Sequence, residues 1–104
     1  MKKIPTHYQV GGATIEVRMV ERCSDNTIGE TCLASGYVEI ADKHSKDDKQ
    51  SDGSKVNTFY HELTHTILDT MGEKELSQNE KFVCCFSSFL TEAMANAYFT
   101  EEEK

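Results

Sequence analysis

The sequence of 104 residues has no tryptophan, a single proline and no apolar stretch long enough to span a bilayer. Basic residues are also few: 11 lysines and arginines accompany 18 aspartates and glutamates, which gives a formal net charge of −7. A surface of this charge repels the phosphates of nucleic acids and anionic lipid headgroups. The composition therefore predicts a protein that binds neither nucleic acid nor membrane.

The sequence also lacks an export signal and a cysteine-based metal motif. The basic start is followed by a lone Ile4 and then Pro5, without the apolar segment of a signal peptide, so a cytoplasmic location is expected. The four cysteines, at positions 23, 32, 84 and 85, form no C-x-x-C pair. We expect free thiols that act as small packing residues, although spacing alone leaves a disulfide between Cys23 and Cys32 open.

The first part of the chain carries the pattern of two β-hairpins. In residues 8–20, apolar and polar side chains alternate around Gly11-Gly12, a pair that suits a two-residue turn. Residues 30–41 repeat this arrangement around a turn in which Gly36 can adopt the left-handed conformation. We expect a small antiparallel or mixed sheet with one face buried against a helix.

The rest of the chain carries the pattern of two helices. Residues 42–53 are polar throughout and predict an exposed, mobile loop, after which apolar residues recur at helical spacing over about 54–71 and 78–99. Gly72 follows the first helix, where a left-handed cap is common. The second helix has an apolar stripe expected to pack near the first: Phe82, Val83, Phe86, Phe89, Leu90, Ala93 and Ala97. The sequence thus predicts one α+β domain over residues 1–104.

Residues 61–65 of the first predicted helix read His-Glu-Leu-Thr-His. His61 and His65 lie one helical turn apart and off the apolar stripe, so both imidazoles can reach one cation, and this ligand type favours zinc. Glu62 is rotated by about 100° from His61, where its carboxylate can accept a proton from a water molecule. Asp69, near the end of the helix, could orient His65. The pattern predicts a hydrolytic zinc site with Glu62 as general base.

A catalytic zinc ion needs a third protein ligand and one open coordination position. Glu80, in the first turn of the second predicted helix, is the preferred candidate. It could instead close a capping box with Ser77, since Ser-x-x-Glu is the pattern of that motif. Glu92, in the middle of the same helix, competes with Glu80, and Glu73 and Glu75 in the preceding turn are poorer candidates. The angle at which the helices pack decides between them.

These motifs resemble those of a known peptidase family. The segment H-E-L-T-H-T-I-L-D, followed by N-E-K-F-V at the start of a helix, looks like the small glutamate-zincin peptidases of phages and prophages, which are related to ImmA/IrrE-type metallopeptidases. The resemblance implies a minimal zincin-like domain with one catalytic Zn²⁺ bound by His61, His65 and Glu80. It implies that Glu62 is the catalytic base, that the substrate is a peptide, and that a phage-encoded protein would act in the host cytoplasm.

An extended peptide substrate is expected to pair with an exposed strand edge, and residues 37–41 are predicted to provide it. Two other interpretations remain open. One is a non-catalytic zinc-binding interaction module of phage origin that acts on a host protein, and the other is a structural zinc protein with four protein ligands. The variant Glu62→Gln separates the enzyme from the interaction module. Substrate, cleavage specificity and oligomeric state are not defined by the sequence.

Overall fold

The computed structural model describes residues 4–24 and 27–98 and shows an α+β fold. Its elements in chain order are β1 (His7–Val10), β2 (Ala13–Val20), β3 (Gly29–Cys32), β4 (Tyr37–Ala41), α1 (Asp52–Met71), α2 (Lys74–Ser77) and α3 (Glu80–Ala95). The helix α1 contacts the sheet as well as α3, so it is the central element of the fold. None of the described helices combines the length and the apolar character needed to cross a bilayer.

The four strands form one mixed sheet in the order β1-β2-β4-β3. β1 and β2 pair antiparallel, as do β3 and β4, which confirms both predicted hairpins, whereas β2 and β4 run parallel. In the first hairpin Gly11 and Gly12 have φ angles of 59° and 84°, and a type I′ turn needs positive φ at both positions. Ile15, Val38 and Ile40 are completely buried and form the sheet's part of the core.

The sheet order shows that one prediction was wrong, namely that residues 37–41 form an edge strand. β4 lies between β2 and β3, so both of its edges are paired. The edge strands among those described are β1 and β3, and both contact α1. Composition explains this order, because β4 contributes the buried side chains of Val38, Ile40 and Ala41, whereas the residues of β3 are only half-buried. A hairpin pattern does not indicate which of its two strands receives a parallel neighbour.

The polar segment before α1 is exposed at its tip, as predicted, but it is anchored at its end. Gln50 is buried, and its Nε2 donates a hydrogen bond to the carbonyl oxygen of Ala41 (2.5 Å). Its Oε1 accepts hydrogen bonds from Ser54 Oγ (2.7 Å) and Thr58 Oγ1 (3.0 Å). The prediction of a mobile loop over residues 42–53 missed this anchor, because a single buried polar side chain leaves no periodic pattern.

The boundaries of α1 follow from its caps. Ser51 Oγ accepts a hydrogen bond from the backbone N–H of Ser54 (3.1 Å), so the helix begins at Asp52, slightly before the predicted start. Gly72, with φ of 82°, ends the helix in the left-handed conformation. The predicted helix and its predicted end are therefore confirmed.

The helix α3 is shorter than predicted. Asn79 Oδ1 accepts a hydrogen bond from the backbone N–H of Phe82 (3.1 Å), so α3 begins at Glu80. The reversal before it contains the short helix α2, which the sequence analysis did not predict. At the other end α3 stops at Ala95, and the predicted last position, 99, lies outside the described residues.

Only part of the predicted apolar stripe of α3 is buried. Val83 and Ser87 are inaccessible, whereas Phe86 and Phe89 remain 47% and 70% exposed. Phe82 and Phe86 stack on each other with ring centroids 5.7 Å apart. The predicted packing of this stripe near the first helix is confirmed, but Phe86 and Phe89 lie outside the packed part. The small side chain of Ser87 gives α3 a close contact with the rest of the fold, and the broad stripe extends beyond that contact.

Candidate metal centre

Three side chains that the sequence predicted as metal ligands meet between α1 and α3. His61 Nε2 lies 3.6 Å from Glu80 Oε1, and His65 Nε2 lies 3.7 Å from Glu80 Oε2. The two imidazole ring centroids are 4.9 Å apart. One candidate ligand atom from each residue lies within 4.8 Å of the others, and among residues 4–24 and 27–98 this is the one such group of histidine, cysteine and acidic side chains.

The spacing of these side chains fits a divalent metal ion. Two ligand atoms that each lie 2.0–2.1 Å from a tetrahedral zinc ion are separated by about 3.4 Å. The distances from His61 Nε2 to Glu80 Oε1 and from His65 Nε2 to Glu80 Oε2, 3.6 and 3.7 Å, are close to this value, and with one ligand atom taken from each residue all three lie within 4.8 Å of one another. Two imidazoles and a carboxylate would also leave one tetrahedral position open. The three residues could therefore hold a metal ion without a large movement of either helix.

The contacts of Ser77 show whether Glu80 closes a capping box and whether Asp69 orients His65. The capping box is not formed, because Asn79 caps α3 and Glu80 is the first residue of that helix. Ser77 Oγ instead forms a hydrogen bond of 2.9 Å with His65 Nδ1. This bond leaves Nε2 of His65 facing Glu80, and a hydrogen bond to the second ring nitrogen is how proteins orient histidine ligands. The orienting partner of His65 is thus Ser77 rather than Asp69.

Glu62, the predicted general base, is buried beside the edge strand β3. Its side chain is outside the group of three candidate ligands. Thr31 Oγ1 donates a hydrogen bond of 2.5 Å to Glu62 Oε1 and a longer one of 3.3 Å to the Glu62 carbonyl oxygen. Gly29 lies on the same face of β3, and a Cβ atom there would be 2.7 Å from Glu62 Oε2. The missing side chain at Gly29 therefore makes room for the carboxylate.

The surroundings of the site shift the pKa values of two of its groups. The pKa of Glu62 is raised, mainly because burial disfavours its charge; the hydrogen bond from Thr31 and the charge of His65 act in the opposite direction. The pKa of His61 is lowered, again mainly by burial, with a further contribution from His65 and an opposing one from Glu80. A neutral imidazole is the form that binds metal. Burial thus favours the ligand form of His61.

The candidate ligands open onto a cleft of about 820 Å³. Residues 27–31, which include most of β3, line one side, and α1 and the first turns of α3 line the other. A second depression, of about 670 Å³, shares His65 and Glu80 with the first and continues past Leu33 and Ala34. An extended molecule lying along these two depressions would pass directly beside the three candidate ligands.

The sequence predicted the candidate ligands and the carboxylate next to them, but not the residues that position them. Thr31 and Gly29 share a face of β3, as strand alternation requires, yet nothing in the sequence assigns that face to Glu62. Ser77 was considered only as a cap. The competing acidic residues Glu92, Glu73 and Glu75 lie outside the candidate group.

The chain was also compared with known proteins. No protein-family model, no curated protein and no solved structure matches it. The likeness of residues 61–69 and 79–83 to phage-type peptidases therefore stays a prediction. The function has to be inferred from the geometry and chemistry of the site.

Proposed function

We propose that the protein is a zinc-dependent metallopeptidase, a minimal domain of the glutamate-zincin type. The observation that carries this proposal is the convergence of His61, His65 and Glu80 from two helices within 4.8 Å. The buried carboxylate of Glu62 lines the same cleft. Three such ligands, an open coordination position and an adjacent carboxylate are the parts that zinc peptidases use to cleave amide bonds.

The ligand set favours zinc, because imidazole nitrogens suit zinc better than they suit magnesium or calcium. Zinc bound by these side chains would supply the charge that acidifies a water molecule and polarises the substrate carbonyl. The protein holds the ligands in place through two contacts. Ser77 fixes the ring of His65, and the cap on α3 fixes the position of Glu80 at the start of that helix.

Glu62 moves the proton in this mechanism. Because Thr31 donates a hydrogen bond to Oε1, Oε2 is the oxygen left to accept a proton from the attacking water. The protonated carboxyl group then donates the proton to the amine of the departing product. Burial raises the pKa of Glu62, which stabilises the protonated form between these two steps.

A peptide is the proposed substrate because the cleft has a strand edge as one wall. β3 pairs with β4 along one edge, and its residues line the cleft on the side of the candidate ligands. An extended peptide that adds to this edge would form backbone hydrogen bonds with β3 and present its carbonyl groups to the site. The docking strand in this proposal is β3, which replaces residues 37–41.

We place this activity in a reducing compartment, the cytoplasm of a host cell for a phage-encoded protein. All four cysteines are free thiols in the structure, including Cys23 and Cys32, whose spacing left a disulfide open. Free thiols are the usual state of cysteines in the cytoplasm.

The decisive experiment is a comparison of the zinc-loaded protein with the variant Glu62→Gln. Incubation with a mixed peptide library, followed by mass spectrometry of new termini, measures hydrolysis. We expect hydrolysis to fall at least ~100-fold in Glu62→Gln, because the amide cannot accept the proton. Zinc content, measured on the same samples, should stay at one ion per chain, and the matched change Glu92→Gln on the exposed side of α3 should preserve both properties.

Two results would contradict the proposal. Zinc-loaded protein that cleaves no peptide, with a biological activity that Glu62→Gln leaves intact, would favour the non-catalytic interaction module. Spectroscopy of a cobalt-substituted sample that showed four protein ligands and no exchangeable position would favour a structural metal site.

A further inference from the structure

α3 carries an apolar face that the fold leaves largely uncovered. Its members are Phe82, Phe86, Phe89 and Ala93, named here the phenylalanine face. Phe86 and Phe89 are 47% and 70% exposed, and Ala93 is exposed as well. The spacings of four, three and four residues are those of a seam between two helices packed side by side. Adjacent exposed phenylalanines also make a larger apolar patch than the isolated surface residues that are common on monomers.

The candidate metal centre does not account for this face. Glu80 precedes Phe82 by two residues, which places the two side chains about 200° apart around the helix. The phenylalanine face is therefore directed away from the cleft that contains Glu80. Its role is separate from metal binding and from the proposed peptidase activity.

We propose that the phenylalanine face binds the same face of a second copy of this chain, with the two α3 helices antiparallel. A register that places Phe86 opposite Phe89 of the second copy also places Phe82 opposite Ala93. Each large side chain at the outer positions then faces a small one, so the helices can approach closely. A two-fold axis repeats every contact, as in most homodimers.

Charge complementarity supports the antiparallel arrangement. Lys81 and Glu92 are eleven residues apart on α3, which is a rotation of only about 20°, so both lie on the same flank of the phenylalanine face. In the antiparallel register, Lys81 of one copy lies beside Glu92 of the other, and the two-fold axis forms this pair twice. In a parallel arrangement the two-fold axis would place this flank of the two copies on opposite sides of the seam, so Lys81 and Glu92 could not pair.

A second copy fits the phenylalanine face better than a lipid surface does. Helices that lie on membranes carry several lysines and arginines on their polar side, which anionic headgroups attract. α3 has one basic residue, Lys81, and two acidic ones, Glu80 and Glu92, in a chain whose net charge is −7. Anionic headgroups would repel this protein, whereas the second copy supplies both an apolar face and the opposite charges.

Sedimentation equilibrium of the full chain tests the proposal, with reductant and a chelator present so that neither disulfides nor zinc contribute. Between about 1 and about 100 μM, the wild-type protein should change from monomer to dimer. The variant Phe89→Ser should weaken the dimer more than ~10-fold. Met71→Ser, which removes a comparably exposed side chain from the end of α1, should leave it unchanged. Circular dichroism confirms that each variant is folded.

Exchanging the charges of Lys81 and Glu92 tests the antiparallel register of the two α3 helices independently of the apolar contacts. Lys81→Glu and Glu92→Lys should each weaken the dimer about 3- to 10-fold, because each creates two like-charge pairs. The double variant should recover wild-type affinity. A protein that stays monomeric over the whole range would overturn the proposal, as would a dimer that Phe89→Ser leaves intact. A double variant without recovery would overturn the antiparallel pairing.

Discussion

The chemistry proposed for the cleft depends on single residues, and Glu62 is an example. A carboxylate buried in an apolar environment costs several kcal/mol unless it is hydrogen-bonded, so a helix rarely presents one to a sheet. Here the strand β3 supplies both the hydroxyl of Thr31 and the space above Gly29. The function proposed for Glu62 therefore depends on two residues in a different part of the sequence.

Loss of the Thr31 hydroxyl should reduce turnover without removing the metal. In Thr31→Val the carboxylate of Glu62 loses its orienting donor, and we expect kcat to fall ~10- to 100-fold, the usual effect of removing such a partner. Thr31→Ser keeps the hydroxyl and should retain most of the activity. Peptide cleavage and zinc content measured together test this. If Thr31→Val were as active as the wild-type protein, Glu62 would need no such hydrogen-bond donor.

Glu80 and Glu92 should differ sharply in their effect on zinc affinity. Removing one of three ligands, as in Glu80→Gln, should weaken zinc binding by on the order of 100-fold. Glu92→Gln makes the same chemical change on the same helix, outside the candidate group, and should leave the affinity unchanged. Competition with a chromophoric chelator measures both. If Glu92→Gln weakened binding instead, the ligand set inferred here would be wrong.

Two cysteines should differ in reactivity although both are thiols. Burial raises the pKa of Cys23 to about 11, whereas hydrogen bonds from Ser35 lower the pKa of Cys32. The thiolate is the reactive form, so at pH 8 only about 0.1% of Cys23 is reactive. Iodoacetamide should label Cys32 much faster than Cys23, with labelling of Cys23 rising as the pH approaches 11. Mass spectrometry measures each rate, and in urea the two rates should converge.

Among the helices and strands, α3 connects the stability of the fold to the candidate metal centre, because its N-cap residue, Asn79, directly precedes Glu80. Asn79→Ala removes the side-chain acceptor of the Phe82 N–H and should cost about 1 kcal/mol. A change of this size lowers Tm by about 4–8 °C in a domain of this length. It should also weaken zinc binding, because the first turn that holds Glu80 loosens. Thermal unfolding and a zinc titration measure the two effects.

The control for this prediction is at the other end of the same helix. Asn96 Nδ2 donates to the carbonyl oxygen of Glu92 on an exposed surface, and Asn96→Ala should change stability by less than about 0.5 kcal/mol. Zinc affinity should not change in this variant. A loss of zinc affinity as large as that of Asn79→Ala would show that the position of Glu80 does not depend on its local cap.

The helices and strands were predictable from the sequence where a local pattern of residues specifies them. α1 has an apolar periodicity and ends at Gly72, and the spacing of His61 and His65 follows from helix geometry alone. The position of β4 inside the sheet was not predictable, because it depends on a parallel pairing with β2, which precedes the intervening strand β3 in the chain. The uncovered part of the α3 stripe was missed for a similar reason, since periodicity shows that a face is apolar but not what covers it.

For the whole molecule, a metal ion bound at this site would connect α1 with α3 and stabilise the fold. If zinc is present at 100 times its dissociation constant, binding adds about 2.7 kcal/mol to the free energy of unfolding. That corresponds to an increase in Tm of about 11–22 °C. Removing zinc with a chelator should reverse the increase, which differential scanning fluorimetry measures.

Two histidine variants show whether this stabilisation comes from the proposed site. His65→Ala should abolish the response of Tm to zinc, because it removes a ligand. His44→Ala removes an exposed histidine of the segment before α1 and should leave the response intact. An equal response in both variants would mean that zinc stabilises the protein from another location.

The absence of a side chain at Gly29 limits which residues evolution can place at this position while Glu62 stays buried. A five-residue H-E-x-x-H pattern can arise by chance, but a helix glutamate can remain buried beside a strand only where that strand leaves space for it. In this chain an alanine at position 29 would bring its Cβ within 2.7 Å of Glu62 Oε2 and 2.6 Å of Thr58 Cγ2. In the proposed mechanism, a lineage that replaced Gly29 would displace the base while every candidate metal ligand persisted, so glycine at this position should accompany retained activity.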